Sequence, residues 1–282
     1  METADMERRF GGLARLYGAQ GLERLAQAHV VVAGIGGVGS WCVEALARSG
    51  VGALTLVDLD QVAESNINRQ IHALTETLGQ SKVEAMAQRV RGINPNCRLG
   101  LVDDFVTPEN VGQVLPRDMS LLVDCTDQVN AKVAMILACR GQMHPIVVCG
   151  GAGGKTSSLS LRVSDLSAAL NDALLAKVRS TLRRRHGYPK AADQAGKVRR
   201  RVPKMGVHVV WFDQPALLPD LWRDPQESVV PAEAPQGLSC AGYGSSVTVT
   251  ATMGMAAANE GLQWLLDGHF TVPHTKPGPA RR

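Results

Sequence analysis

The fold is decided by residues 29–58, which read HVVVAGIGGVGSWCVEALARSGVGALTLVD. The first five residues are apolar and mostly β-branched, which predicts a buried parallel strand. The glycine turn GIGGVG follows at residues 34–39, and after it comes an amphipathic helix that Gly50 ends. Strand, turn and helix together direct free backbone N–H groups and the positive end of the helix to one point. That point suits a phosphate group.

A second strand, residues 54–57, ends in Asp58 about 20 residues after the turn, where an acidic side chain can hold a ribose. We therefore predict that Asp58 binds a nucleotide together with the turn glycines, which are Gly34, Gly36, Gly37 and Gly39. This fingerprint alone does not distinguish NAD, FAD, SAM and ATP.

Polar and cationic side chains crowd the segment directly after Asp58. Asn66, Arg69 and Gln70 lie there, and Lys82 follows 13 residues after Arg69. A dinucleotide buries its pyrophosphate on the glycine turn and needs no further cations. A triphosphate carries more charge, which these side chains would neutralise. The sequence therefore favours ATP, because a nicotinamide oxidoreductase would leave this cluster without a role.

Over roughly residues 9–155, this combination resembles the ubiquitin-activating enzyme superfamily of adenylating enzymes, with its bacterial molybdopterin- and thiamine-pathway members. The resemblance implies that ATP is held by Asp58, Asn66, Arg69 and Lys82. It also implies a magnesium-binding aspartate, which falls on Asp127 at the end of a later apolar strand. Arg69, Lys82 and Asp127 are then the catalytic residues.

In related enzymes an arginine near the N-terminus reaches the phosphates, sometimes from the partner subunit of a dimer. The motif RFGGLARLYG at residues 9–18 offers Arg9 and Arg15 as candidates, and Arg15 is favoured as a further catalytic residue. A plain surface arginine is the alternative. The residues before this motif, 1–8, are expected to form a loose leader.

Beyond Lys82, helical and strand-like segments alternate, which predicts a Rossmann-like α/β fold with a mostly parallel sheet flanked by helices. We expect antiparallel strands and a C-terminal helix to extend it. The predicted divisions are an ATP-binding adenylation domain at 9–155, an extension of it at 156–270 and a tail at 271–282. The extension holds a proline-rich loop at 213–236. The glycine-rich loop 150–154 suits either close approach to a ligand or a strand crossover.

The six cysteines are scattered singly without a CxxC pair, which favours a reducing cytosol and argues against disulfides and zinc. We therefore expect a cytoplasmic protein without zinc, although many relatives carry a structural zinc. Cys240 has two interpretations, a reactive thiol or a small buried hydrophobe. The apolar helix 247–266 contains Asn259 and Glu260 and is a poor membrane span. Its small residues suit packing in the core or across a homodimer, which is also a family expectation.

A basic insertion lies at residues 177–204, where eleven Lys and Arg face one acid, leaving a net charge of −6 on the other 254 residues. Such a local concentration favours a polyanionic partner over a solvated loop. The candidate tRNA-binding residues are two arginine triplets: Arg183, Arg184, Arg185, Arg199, Arg200 and Arg201.

Three motifs resemble the tRNA threonylcarbamoyladenosine dehydratase branch of the superfamily: RFGGLARLYG at 9–18, DDFVTP at 103–108 and CAGYGS at 240–245. This branch implies ATP-dependent cyclisation of threonylcarbamoyladenosine in tRNA through an acyl-adenylate. The alternative is an enzyme that adenylates the C-terminus of a ubiquitin-like sulfur carrier, with a sulfur-transfer partner. A non-catalytic RNA-binding scaffold is disfavoured by the intact polar cluster.

Overall fold

The computed structural model describes residues 5–192, 197, 199–200, 202–217 and 243–270. Several predicted features lie outside these residues: Arg201, Cys240, most of the proline-rich loop and the tail.

Helices and strands alternate through most of the described chain. The helices are α1 (Met6–Gln27), α2 (Gly39–Arg48), α3 (Lys82–Ile93), α4 (Val111–Val114), α5 (Val129–Gln142), α6 (Ala173–Arg185) and α7 (Val247–Asp267). The strands are β1 (His29–Ala33), β2 (Ala53–Val57), β3 (Arg98–Val102), β4 (Leu121–Asp124), β5 (Ile146–Cys149), β6 (Leu161–Asp165) and β7 (His208–Phe212).

The strands form one sheet of seven in the order β3-β2-β1-β4-β5-β7-β6. Each neighbouring pair is parallel except β6 and β7, which are antiparallel. The order reverses between β1 and β4, which is the point where open α/β sheets bind ligands. The predicted mostly parallel Rossmann-like fold, with an antiparallel extension and a C-terminal helix, is confirmed.

The N-terminal segment differs from its prediction. The residues expected to form a loose leader already enter α1 at Met6, because the Asp5 side chain accepts a hydrogen bond from the N–H of Arg8 at 2.9 Å. Such a cap satisfies one of the free N–H groups of a first helical turn. The helix changes direction at Gly18, whose φ is 75°.

Apolar side chains fill both faces of the sheet. One face packs against α1, α2, α3 and α7, and the other against α4, α5 and α6. The buried small residues of α7 serve this internal packing, since a Cβ added to Gly254 would lie 2.3 Å from the carbonyl oxygen of Val38. The homodimer stays a prediction. Among the described residues, no helix is both long enough and apolar enough to cross a membrane.

Candidate active site

A cavity of about 580 Å³ opens at the carboxyl ends of the parallel strands. We call its lining residues up to Ala131 the nucleotide wing; they include the glycine turn, Asp58, Arg69 and Asp127. We call the lining residues 150–216 together with Tyr243 the second wing. The cavity thus joins the predicted nucleotide site to a surface formed by the later part of the chain.

The glycine turn is shaped by close backbone packing. Gly34 has a φ of 85°, and a Cβ there would lie 2.9 Å from the carbonyl carbon of Cys125. A Cβ on Gly39 would lie 1.8 Å from the carbonyl oxygen of Gly34, so both positions require glycine. At Gly36 an added Cβ would meet only the side-chain nitrogen of Gln70, at 3.9 Å. The turn is therefore packed against the protein backbone at Gly34 and Gly39, and it has free space at Gly36, which lines the cavity.

Asp58 is buried directly behind this turn. Its carboxylate accepts hydrogen bonds from the N–H of Ile35 at 2.6 Å and from the N–H of Asp60 at 2.9 Å. Burial raises the pKa of Asp58 above its ordinary value, while Lys82 and the two N–H groups oppose the rise. The interactions fix the carboxylate at the cavity wall, where it can accept hydrogen bonds from a ribose.

The two predicted cations differ in their surroundings. The Lys82 ammonium lies 2.6 Å from Asp60 and 3.8 Å from Asp58, and it is buried behind the wall. Arg69 lines the cavity, and its guanidinium donates to the carbonyl of Ser65 at 2.7 Å and to Asn68 Oδ1 at 2.9 Å. Arg69 forms no ion pair with a carboxylate in the described part of the chain, so it offers an uncompensated positive charge to the cavity.

Asn66 and Gln70 are buried and do not line the cavity. The Asn66 side chain accepts a hydrogen bond from the N–H of Ala63 at 3.0 Å and so closes the turn that precedes Arg69. Gln70 lies beside the glycine turn, and its side-chain oxygen has no hydrogen-bond partner among the described residues. Both therefore support the wall, and Gln70 keeps a buried acceptor near the ligand position.

Asp127 lines the cavity on a loop fixed by a buried ion pair. One oxygen of Asp124 accepts from the N–H of Thr126 at 3.0 Å and from its hydroxyl at 2.7 Å, and it lies 3.1 Å from the Lys132 ammonium. The side chains of Asp124 and Lys132 are both 0% exposed. Neither Asp124 nor Lys132 was assigned a role from the sequence. The signal was a lysine on the apolar helix that follows Asp124.

The nucleotide wing fits a triphosphate, because an open glycine cradle, a fixed ribose acceptor and the charge of Arg69 meet in one cavity. No group of three or more His, Cys, Asp or Glu side chains among the described residues is arranged to hold a metal ion. Asp127 could therefore contribute to a magnesium site only together with oxygens of the nucleotide itself.

The N-terminal arginines lie away from this cavity within one chain. Arg9 donates to the carbonyls of Gly92 and Ile93, at 2.9 and 2.7 Å, and so closes the carboxyl end of α3. That end of α3 precedes β3 and lies at the opposite edge of the sheet. Arg15 is exposed, and neither arginine lines the cavity.

The second wing is held by contacts between distant residues. The Asp172 carboxylate accepts from the N–H of Gly151 at 2.9 Å and from the N–H of Leu175 at 2.9 Å, capping α6. The Lys155 ammonium donates to the carbonyl of Asn171 at 2.8 Å and to that of Gln214. Burial lowers the pKa of Lys155.

The glycine-rich loop 150–154 packs against protein at both ends, and its approach to a ligand stays a prediction. A Cβ on Gly150 would lie 2.2 Å from the Asp172 carboxylate, and one on Gly154 would lie 3.0 Å from the chain near Ala216. Gly151, in contrast, has no heavy atom within 4 Å of an added Cβ and lines the cavity. The ends of the loop are packed on protein, and Gly151 is open to a ligand.

The basic insertion begins on α6, whose first residues line the cavity and whose last turn carries Arg183, Arg184 and Arg185. Arg184 and Arg185 are exposed, and Arg183 donates to the carbonyl of Pro189 at 3.0 Å. Arg199 and Arg200 are also exposed. The first triplet therefore begins four residues, about 6 Å along the helix axis, beyond Arg179, which also lines the cavity.

The cavity lies where the strand order reverses and is lined by the glycine turn and the buried Asp58. These features are those of a nucleotide-binding protein of the Rossmann-like class. The ThiF family model matches residues 10–278. The chain belongs to the ThiF family.

Among its relatives, the chain is 43% identical to the tRNA threonylcarbamoyladenosine dehydratase of Escherichia coli, over 92% of this chain and 93% of that protein. It is 40% identical to the Haemophilus influenzae protein of the same name, over 92% and 94% of the two chains. The solved structure of the Escherichia coli enzyme in complex with ATP is 40% identical, covers 95% of this chain and 98% of that one, and has a TM-score of 0.79.

Proposed function

We propose that this protein dehydrates threonylcarbamoyladenosine in tRNA, at the expense of ATP, to its cyclic form. The observation that carries the proposal is the single cavity in which the glycine cradle, Asp58, Arg69 and Asp127 meet a second wing at the head of a basic helix. Relatives that match nearly the whole chain bear the same activity in their names. ATP is the nucleotide of one of the related structures.

The reaction requires the substrate carboxylate to be activated. A carboxylate oxygen attacks the α-phosphorus of ATP, and the bond to pyrophosphate breaks. An internal nitrogen of the modification then attacks the acyl carbon, loses its proton and displaces AMP, so that the ring closes with net loss of water. The carboxylate needs no general base, since the work of the protein is alignment and charge neutralisation.

The residues divide this work. Asp58 and the glycine turn hold the nucleoside and the phosphates, and the positive charge of Arg69 faces the charge that develops on the leaving pyrophosphate. Lys82 orders Asp58 and Asp60 and adds positive charge behind the wall. Magnesium, when bound at Asp127, supplies further neutralisation of the triphosphate.

Several finer expectations belong to the same proposal. They are an adenylation domain at residues 9–155 with an extension at 156–270, a homodimer in which Arg15 or Arg9 serves the partner's site, a sulfur-transfer partner, and a cytoplasmic location. The distance of both arginines from the cavity of their own chain is compatible with service in trans.

The test is mass spectrometry of tRNA nucleosides after incubation with ATP and magnesium. We expect threonylcarbamoyladenosine to lose the mass of one water, with release of AMP and pyrophosphate. A parallel reaction replaces the tRNA with a ubiquitin-like sulfur carrier. Pyrophosphate exchange that depends on the carrier and not on tRNA would overturn the proposal in favour of the carrier-activating alternative.

A further inference from the structure

Arg179 lies on α6 in the wall of the second wing and is half-buried. One guanidinium nitrogen donates to the carbonyl of Leu166 at 3.3 Å and to that of Ala169 at 2.6 Å. Arg179 forms no ion pair with a carboxylate in the part of the chain that the structure describes. Three of its five N–H donors therefore have no hydrogen-bond partner among the described residues.

The charge of Arg179 is poorly compensated. Burial lowers the pKa of Arg179, the positive charge of Arg183 acts in the same direction, and Asp172 acts against them. Removing a cation from water is unfavourable unless an anion or several acceptors replace the solvent. Two carbonyl contacts from one nitrogen do this only in part, so the site is arranged to receive an anion.

The position of Arg179 on α6 connects two regions already described. Arg183 follows it by four residues and so lies on the same helical face, one turn towards the basic insertion. Arg184 and Arg185 continue the positive charge beyond Arg183. The cavity wall and the insertion are therefore joined by a row of two arginines, Arg179 and Arg183, on one face of α6.

We propose that Arg179 forms an anion subsite that binds a backbone phosphate of the tRNA strand beside the reacting nucleotide. The inference rests on the proposed function, since it takes tRNA as the substrate. The anion could also be the carboxylate of the modification. A phosphate is favoured because the arginine row leads out of the cavity, whereas the carboxylate must reach the nucleotide wing to be adenylated.

The experiment measures the affinity of an anticodon stem-loop RNA as a function of salt for the full chain and its variants. Arg179→Gln should weaken binding about 10- to 100-fold, the effect of losing one charged hydrogen bond. It should also reduce the log–log salt slope by about one. Arg179→Lys should keep most of the slope. The control is Arg162→Gln, at an exposed β6 arginine outside the cavity lining whose guanidinium donates to the carbonyl of its neighbour Leu161, and it should change neither quantity.

Two RNAs distinguish the possible anions. A stem-loop without the threonylcarbamoyl group should lose as much affinity with Arg179→Gln as the modified one. If only the modified RNA were affected, the subsite would bind the carboxylate and the inference would be overturned. Wild-type affinity and salt slope for Arg179→Gln would also overturn the inference. The guanidinium would then serve only to hold the loop at residues 166–169.

A second measurement starts from the wild-type protein, so its first result does not depend on the folding of a variant. Methylphosphonate linkages, which are uncharged, replace the phosphates beside the modified nucleotide one at a time, and the RNAs are bound to wild-type protein. Replacing one particular phosphate should weaken binding as much as Arg179→Gln does. Combining that neutral linkage with Arg179→Gln should weaken binding no further. Uniform tolerance of every neutral linkage would overturn the inference. The proposed function has its own criterion, the loss of water from the nucleoside, and can fail separately.

Discussion

The two wings of the cavity are built in different ways. Behind the nucleotide wing, buried acids are paired with lysines: Asp124 lies 3.1 Å from the Lys132 ammonium, and Asp58 lies 3.8 Å from that of Lys82. In the second wing, the charged side chains of Lys155, Asp172 and Arg179 are instead bonded to backbone carbonyl or N–H groups.

This difference explains how each wing responds to change. Removing one partner of an ion pair behind the nucleotide wing leaves a buried charge without its counter-charge, which is strongly destabilising. Removing a charged side chain of the second wing leaves a backbone group without its hydrogen-bond partner, which costs less. Four measurements test this distinction, beginning with the largest expected effect.

Asp127→Ala should lower the rate of AMP formation by at least about 10³-fold, because the loop loses the carboxylate proposed to receive magnesium. The fold should persist, since Asp127 forms none of the loop-fixing contacts of Asp124. Steady-state kinetics with circular dichroism provides the measurement. Asp103→Ala, at an exposed acid outside the cavity lining, is the control. Equal rates for the two variants would contradict a magnesium site at Asp127.

Lys132→Met should reduce the free energy of unfolding by about 3–5 kcal/mol, because it leaves the fully buried Asp124 carboxylate without its cation. Urea unfolding measures the loss. Lys177→Met, at an exposed lysine of α6, should change stability by less than about 0.5 kcal/mol. A Lys132→Met protein as stable as the wild type would show that the pair contributes nothing to the nucleotide wing.

His72 provides a pH test behind the nucleotide wing. Burial lowers its pKa to about 4, and the charges of Lys82 and Arg89 act in the same direction. The unfolded chain therefore takes up the proton first as the pH falls from about 6.5, so stability should decrease by about 3 kcal/mol by about pH 4. His72→Gln should remove this component from the pH dependence of unfolding. If the profile were unchanged, His72 would take up its proton equally in the folded and the unfolded chain, and burial would not lower its pKa.

Asp172→Ala should cost about 2 kcal/mol, because α6 loses its N-cap and the N–H of Gly151 loses its acceptor. Thermal unfolding and hydrogen exchange of the loop at residues 150–154 report the effect. Asp172→Asn keeps an acceptor oxygen and should recover roughly half of the loss. If the loss matched that of Lys132→Met, the proposed difference between the wings would disappear.

The N-terminal region shows where sequence reasoning stopped. The motif around Arg9 was assigned through its likeness to related enzymes, and Arg15 was favoured for the phosphates. Within one chain, Arg9 closes the end of α3 and Arg15 is exposed. A motif specifies a residue type at a position in the sequence. Whether that side chain reaches a ligand depends on whether its helix lies at the amino or the carboxyl ends of the strands.

The sequence by itself determined the Rossmann-like fold, the ATP site and the resemblance to the adenylating enzymes. The glycine turn and the ribose acid are set by spacing along one strand–turn–helix–strand unit, which the cations follow directly, and local backbone geometry enforces that spacing. The tertiary structure alone decided the burial of Asp124 with Lys132, the internal packing of α7 and the meeting of Lys155 with Gln214. Those outcomes depend on which distant segment covers a side chain, because burial sets the energy of a charge and no local pattern records it.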